Sequence, residues 1–318
     1  MFLSCGDSLF DLFVGDKIDP AVNDPAGTFV PLSGNAGGSP MNVAFGLSRL
    51  GHKSSYLTNL SSDLFGQRLR KFLRFNEVDI SLCPDTDLNT TLAIVEKAPD
   101  GSARYVFYID NSADVSLKQS DLPDPVPDDI RVLHFGSYST VVEPTATTLA
   151  AFAGRETAKR FISYDPNLRT SIEPDIDRWR EAFAGLSASA NLIKASDEDI
   201  EELLGKNSED KFVASCLDAG ADLVFITRGG EGSTGFTKDG TRVDAKGVSV
   251  DVVDTVGAGD TFQATLLHWL ATNSHITDQG TLQSTPDLSA MMDFATRAAA
   301  ITCTRAGADL PRLAELQS

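Results

Sequence analysis

The residues best suited to chemistry in this 318-residue chain lie in DTVGAGD, Asp254 to Asp260, a glycine-rich turn that precedes the apolar run TFQATLLHWLA. That run reads as a helix, so the turn opens it. Gly257 and Gly259 permit conformations and approaches that a Cβ would forbid, and the amides of Gly257, Ala258 and Gly259 can then converge on an anion at the positive helix end. Asp260 falls in the first helical turn, where the dipole favours its ionised form, and it can take a proton from an alcohol aligned with a phosphate. A phosphoryl group in transfer, which asks for positioning and charge stabilisation more than for a strong base, suits such a place. The plainer reading is an acid that only stabilises its helix beside glycines that allow tight packing.

A second segment, GGSPMNVAFGLSRLG at 37–51, opens another helix. Ser39 is the expected N-cap and Pro40 the first helical residue, with Val43, Leu47 and Leu50 along one face. Asn42 then projects from the first turn, where its amide can donate to and accept from the hydroxyls of a polyol, with Gly37 and Gly38 letting the ligand approach the backbone. A solvated helix-start residue is the alternative. Asp11 is expected to end an apolar strand that begins at Phe2, and ligands of open parallel sheets bind outside the carboxyl ends of strands. A carboxylate there can grip two adjacent hydroxyls, or be a surface charge. Asp7 has no assigned role.

Ser196-Asp-Glu-Asp199 follows the strand-like NLIKA and reads as a capping box, as a magnesium or nucleotide site, or as both. In YDPNLR, 164–169, Arg169 can clamp an anionic or hydroxyl-bearing ligand or form a surface ion pair. GEGSTG at 230–235 matches the dinucleotide spacing formally, with Asp254 near the place of a ribose-binding acid. A dinucleotide fingerprint must open a helix, whereas FTKDGTRVDAKG continues as an alternating hairpin, which excludes that reading. There is no P-loop, since Gly205-Lys206 lacks the earlier glycine and the following Ser or Thr. His52, His134, His268 and His275 show no pair at metal spacing and are expected to be packing or surface residues.

These groups need a scaffold, and the composition allows one. At 42% hydrophobic, 8% aromatic and 23% charged residues, the chain is an ordinary folded protein, not a disordered, collagenous or coiled-coil one. Its 27 Lys and Arg against 45 Asp and Glu leave a net charge of −18, which repels nucleic acid and anionic lipid. No apolar run reaches the ~18 residues of a membrane span. The first apolar stretch, FLSCGDSLFDLFV, lacks a basic start, so neither insertion nor secretion is expected. Cys5, Cys83, Cys216 and Cys303 form no CxxC pair and are expected as free thiols in a reducing cytoplasm.

Short β-branched runs (FLSC, SSYLTNL, RVLHFG, RFISYD, NLIKAS, DLVFIT) alternate with helical segments (NVAFGLSRLG, DLFGQRLRKFLRF, PTATTLAAFAGRETAK, DIDRWREAFAGL, DIEELLG, EDKFVASCLDAG). Such alternation predicts βαβ units and a parallel sheet covered on both faces. GVSVDVV, before the DTVGAGD turn, also reads as a strand. Two stretches depart from the pattern: the loop-rich 12–36, and TTLAIVEKAPDGSARYVFYI at 90–109, two alternating strands around a PDGS turn. Together they read as one small β-rich appendage, either a lid over a cleft or an edge hairpin. No internal repeat or long linker divides the chain, so a single domain over 1–318 is expected, with lid insertions near 12–36 and 88–115.

With GGSPMNVAFGLSRLG and DTVGAGD both present, in this order and far apart, the chain resembles the ribokinase-type (PfkB family) carbohydrate kinases along nearly its whole length, and within them the bacterial fructokinases. The resemblance implies a three-layer αβα core with a mostly parallel central sheet and a β lid. It implies ATP-dependent phosphorylation of a small sugar at a primary hydroxyl, fructose first, with Asp260 as base and Gly257, Ala258 and Gly259 as anion hole. Sugar-binding positions fall on Asp11, Gly37, Gly38, Asn42 and Arg169. Nucleotide positions fall on Ser196, Thr227, Gly229, Gly232 and Thr296, the last facing adenine. Mg2+ is implied with ATP, reached from Asp199 through water, and K+ as an activating ion. A homodimer through the lid is a further expectation.

The chain departs from the family twice. Ser196-Asp-Glu-Asp199 stands where Asn-x-x-Glu is common, which shortens the carboxylate arm. Phe107-Tyr108-Ile109 stands where fructokinases often carry FYR, which removes a cation near the sugar. Kinases of 2-keto-3-deoxygluconate, ribose and nucleosides share the class. An NAD-dependent oxidoreductase would differ by nicotinamide binding, and a catalytically silent sugar-binding regulator by binding without ADP release.

Overall fold

The computed structural model describes residues 1–15, 28–97 and 103–317. The chain opens with β1 (Phe2–Cys5), β2 (Leu9–Val14), β3 (Leu32–Gly37), α1 (Ser39–Arg49), β4 (Ser54–Leu57), β5 (Leu60–Ser61), α2 (Leu64–Phe75), β6 (Asp85–Thr86), β7 (Thr91–Lys97) and β8 (Ala103–Tyr108). The middle carries β9 (Val132–Gly136), α3 (Thr145–Glu156), β10 (Phe161–Asp165), α4 (Ile176–Ser187), β11 (Leu192–Ser196), α5 (Asp197–Leu204), α6 (Glu209–Ala219) and β12 (Leu223–Thr227). The last part holds β13 (Gly232–Thr237), β14 (Arg242–Lys246), α7 (Ala258–Thr272), α8 (Leu288–Cys303) and α9 (Leu313–Leu316).

Among the described residues the main sheet has the order β14-β13-β12-β11-β10-β9-β1-β4, parallel from β12 to β4 and antiparallel at β13 and β14. The strand runs are apolar on both faces because helices cover both. Alternate residues divide between two cores, as the two-residue period of a strand requires. Leu133, Phe135, Ile162, Tyr164, Ile193, Val224 and Ile226 pack with Leu149, Phe152, Trp179, Phe183 and Phe212 from α3, α4 and α6. Val132, Phe161, Leu192, Leu223 and Phe225 pack on the opposite side with Val43, Leu47, Leu266, Leu270, Met291 and Ala295 from α1, α7 and α8. The three-layer αβα architecture is the expected one. Among the described residues no helix is long and apolar enough to cross a membrane.

Three local expectations are corrected. The run from Phe2 is not one strand through Asp11: it ends at Cys5, turns at Gly6 (φ 141°), and resumes as β2 in a second sheet. A Cβ at Gly6 would press Pro40 Cγ at 2.8 Å, so only glycine lets the chain change sheets there. GVSVDVV is irregular rather than a strand. Val248, Val252 and Val253 lie exposed, with no sheet face to bury them, and Val253 N reaches Cys303 O at 2.8 Å. The N-cap of α1 is Gly38 (φ 119°), not Ser39.

The second sheet has the order β3-β2-β7-β8 and draws on both stretches read as an appendage. The PDGS turn and much of the loop within 12–36 lie outside the described residues. Strand alternation gives this sheet two unlike faces. Asp11, Asn35, Gly37, Ala93, Val95, Tyr105 and Phe107 share one, while Leu12, Leu32, Leu92, Ile94, Val106 and Tyr108 share the other.

Candidate active site

The two glycine segments meet where α1 and α7 begin. Asp260 lies buried in the first turn of α7, with Ser39 Oγ donating to its Oδ1 (2.6 Å) and Asn42 Nδ2 to its Oδ2 (2.7 Å). Asn42 therefore points at the carboxylate rather than into solvent. Its Oδ1 is buried without a hydrogen-bond partner, an acceptor open to a hydroxyl-bearing ligand. Ser39, freed from the expected cap role, became part of the site, which a sequence cannot reveal because its partner lies 221 residues away.

Gly257 caps α7 in the left-handed region (φ 80°), where a Cβ would meet Ala308 Cβ at 2.7 Å. Asp254 braces this turn, accepting from Val256 N (3.1 Å) and from Gly307 N (2.8 Å). The acid considered for a ribose is thus a tie between two loops. A helix leaves its first amides without internal acceptors. Ala258 N donates to Thr255 O at 3.2 Å, while the amides of Gly259 and Asp260 have no acceptor among the described residues. The open donors sit one turn from a buried carboxylate, an arrangement that can hold an anion beside a base.

Asp11 stands on β2, part-buried, and its Oδ2 occupies the space a Cβ at Gly37 would need. Burial raises its carboxyl to about 6, against the pull of Arg169 and with the push of Asp254. Arg169 is exposed, its NH1 donating to Asn167 Oδ1 (2.7 Å) and Leu168 O (2.7 Å), and its charge acts on both Asp11 and Asp7. A Cβ at Gly38 would collide with Asp7 O. Tyr105 lies in the field of Asp11 and Arg169, whereas Ile109, in place of the family's cation, packs against the core.

Asp7, left without a role by the sequence, lies at the carboxyl end of β1 and is 1% exposed, with Oδ1 lacking a partner. Burial, reinforced by Asp114, raises its carboxyl to about 8.

The nucleotide candidates lie along the carboxyl ends of the neighbouring strands. Ser196 and Asp199 form the expected capping box: Ser196 Oγ accepts from Asp199 N (3.0 Å), and Asp199 Oδ2 accepts from Ser196 N (2.9 Å). Asp199 Oδ1 accepts from Leu168 N (2.8 Å). Among the described residues no three His, Cys, Asp or Glu side chains are gathered to hold a metal. Thr227 ends β12, and Gly229 (φ 48°) and Gly232 (φ 107°) shape the turn into β13. GEGSTG indeed leads into a hairpin, β13 with β14. Thr296, on α8, has a buried Oγ1 without a partner. His52 Nε2 and His268 Nδ1, read separately in sequence, pair at 2.8 Å and join the far ends of α1 and α7.

Lys194 on β11 is 4% exposed, with Nζ 2.8 Å from Asp165 Oδ2 on β10. A lone lysine in NLIKAS gives no signal in sequence, since only the packing of α7 over β11 shows where it points.

The model of the pfkB family carbohydrate kinase matches residues 15–315. The chain is 36% identical over 294 residues to a fructokinase of Rhizobium leguminosarum bv. trifolii, which covers 90% of this chain and 87% of that relative. A fructokinase with bound ATP from Xylella fastidiosa has the same fold, with a TM-score of 0.86 over 99% of this chain and 96% of that one at 23% identity. A fructokinase double mutant from Vibrio cholerae O395, in fructose-, ADP- and potassium-bound form, gives 0.81 over 99% and 96% at 23% identity. Matched along nearly its full length by the family and along nine-tenths of it by a relative, the chain belongs to the pfkB family of carbohydrate kinases.

Proposed function

We propose that this carbohydrate kinase transfers the γ-phosphoryl group of MgATP to a primary hydroxyl of a small sugar, D-fructose first. The observation that carries the reading is the buried Asp260 carboxylate beside the open amides of Gly259 and Asp260. Asp260 takes the hydroxyl proton as the oxygen attacks phosphorus in line and ADP leaves, and the glycine turn offsets the charge on the phosphoryl oxygens through the open amides of Gly259 and Asp260, the expected Ala258 amide being taken by Thr255 O. Asp11, Gly37, Gly38, Asn42 and Arg169 hold the sugar, with Asn42 Oδ1 and the Asp11 carboxylate as acceptors. Ser196, Thr227, Gly229, Gly232 and Thr296 line the nucleotide, and Mg2+ arrives on ATP, met from Asp199 through water.

Fructose is favoured by the name of the Rhizobium relative. A sugar acid is the second reading, favoured by the charge of Arg169 acting on the Asp11 site. Potassium activation is inferred from the Vibrio relative. We also assign the chain, as one domain with the small sheet as lid, to the cytoplasm, in keeping with its ATP chemistry and four free cysteines. A second copy is assigned to the apolar outer face of that lid, where Leu32, Val106 and Tyr108 are exposed.

The test is ADP release from MgATP with fructose, ribose, 2-keto-3-deoxygluconate, glucose or adenosine, with and without K+. Selective turnover of fructose is expected. Turnover only with the sugar acid would make Arg169 the specificity residue, and sugar binding without ADP release would replace the kinase by a silent regulator. Light scattering of the purified chain tests the dimer.

A further inference from the structure

Beneath α7 the main sheet changes character along its strands. On that face the strands begin with the apolar Val132, Phe161, Leu192 and Leu223, with Leu192 level with Ser163. Two residues further on, the same faces carry His134, Ser163, Lys194 and Phe225, and two further still Gly136, Asp165, Ser196 and Thr227. Alternation puts these polar groups under the helix whose first turn holds Asp260. Gln263, one turn along α7, donates to Ser163 Oγ at 2.6 Å, which fixes the helix over this layer.

Lys194 stands out in that layer. A Cβ on Gly259 would lie 3.3 Å from Lys194 Nζ, so the ammonium sits against the amide turn itself. Nζ has three N–H donors. Asp165 is its one ion-pair partner among the described residues. Asp165 Oδ1 is likewise buried without a partner. Burial lowers the affinity of Lys194 for its proton, but Asp165, Asp199 and Asp260 outweigh it and hold the group charged. His134 is the other titratable neighbour, kept neutral by burial and by that same ammonium.

A buried ion pair is a poor source of stability compared with apolar packing, which calls for another reason for it here. Asp165, Asp199 and Asp260 act on Lys194, the cation set among them, and a triphosphate brought to the start of α7 needs such a cation against their charge. We propose that Lys194, oriented by Asp165, contacts the γ-phosphoryl group of the nucleotide and forms, with the Gly259 and Asp260 amides, one anion site. The proposal rests on the phosphoryl-transfer reading above. Gly259 is then required not only for its amide but for leaving room for the ammonium.

The test compares the wild-type chain with K194M and with the double variant K194M/D165N. K194M alone leaves Asp165 buried and uncompensated, and its thermal stability is expected to fall. The double variant removes both charges at nearly constant volume and restores the fold. Calorimetric titration with MgADP and MgATP, without sugar, reads the γ-phosphate contact directly. The wild type is expected to bind MgATP more tightly than MgADP. In the double variant that preference is expected to drop by roughly 10- to 100-fold, the worth of a charge-assisted hydrogen bond. Affinity for MgADP and KM for sugar are expected to hold, while kcat falls. A folded double variant with the wild-type ATP preference and kcat would show that the lysine only neutralises Asp165, and the proposal would be wrong. Binding of neither nucleotide by the wild type would instead overturn the kinase reading beneath it.

Discussion

The Asp260 carboxylate has both oxygens engaged, one by Ser39 and one by Asn42. Two donors from α1 fix the plane of the carboxylate, and Asn42 Oδ1 is buried without a partner. Replacing Asp260 by Asn removes the proton acceptor but not the fold, since the Asn42 amide can turn its oxygen to the new donor. We predict that D260N lowers kcat by roughly 10²- to 10⁴-fold with little change in Tm, measured by ADP release and thermal melting. Near-normal turnover would remove Asp260 from the mechanism. Asp11 gives a second prediction. Its carboxyl is raised to about 6, so it is ionised above that pH and loses an acceptor below it. The sugar KM is expected to rise on acidification through pH 6. In D11N the KM is expected to be about 10- to 100-fold higher and flat with pH, in line with the loss of a charged hydrogen bond. A D11N profile parallel to the wild type would separate Asp11 from sugar binding.

At the scale of elements the start of α7 is decided by two glycines with different duties. Gly257 needs its left-handed φ of 80°, and a methyl there would strike Ala308 in the loop tied to Asp254. Gly259 lies inside the helix, and a methyl there would press only the end of Lys194. G257A is therefore expected to destabilise the chain by about 1–3 kcal/mol. G259A, which gains helix propensity, is expected to leave the melting temperature near the wild type. Equal losses in both, read by thermal melting, would contradict this division. The split of the first apolar run at Gly6 matters as much, because it moves Asp11 from the main sheet to the four-stranded sheet. The carboxyl end of β1 goes instead to Asp7.

Across the whole molecule, Asp7 couples protonation to folding. Its carboxyl is raised to about 8 by burial and Asp114, well above the value of 3.8 for a free aspartate. Between these values the folded chain holds a proton that the unfolded chain has lost, so the Asp7 contribution to stability falls as pH rises through the window and levels off above about 8. D7N, which stays neutral, is expected to gain in Tm over the wild type progressively from pH 5 to pH 8. A gain that does not vary with pH would show that Asp7 is not buried as a neutral acid. The net charge of −18 bears on the same scale. A chain so acidic holds a triphosphate only where helix amides and placed cations reverse the local field, and the start of α7 over Lys194 supplies both.

The alternation of strands and helices, the αβα layering and the two glycine segments were legible in the chain, because apolar period and glycine spacing are local properties. The sequence also placed Asp260 and Asn42 in the first turns of their helices and Ser196 and Asp199 in a capping box, because these positions follow from where a helix begins. Tertiary packing alone decided that Ser39 binds Asp260 rather than capping α1, that Asp11 stands in the small sheet, that His52 meets His268, and that Lys194 reaches the amide turn. Each of those depends on which elements pack together, and residues two hundred positions apart leave no mark on each other in sequence.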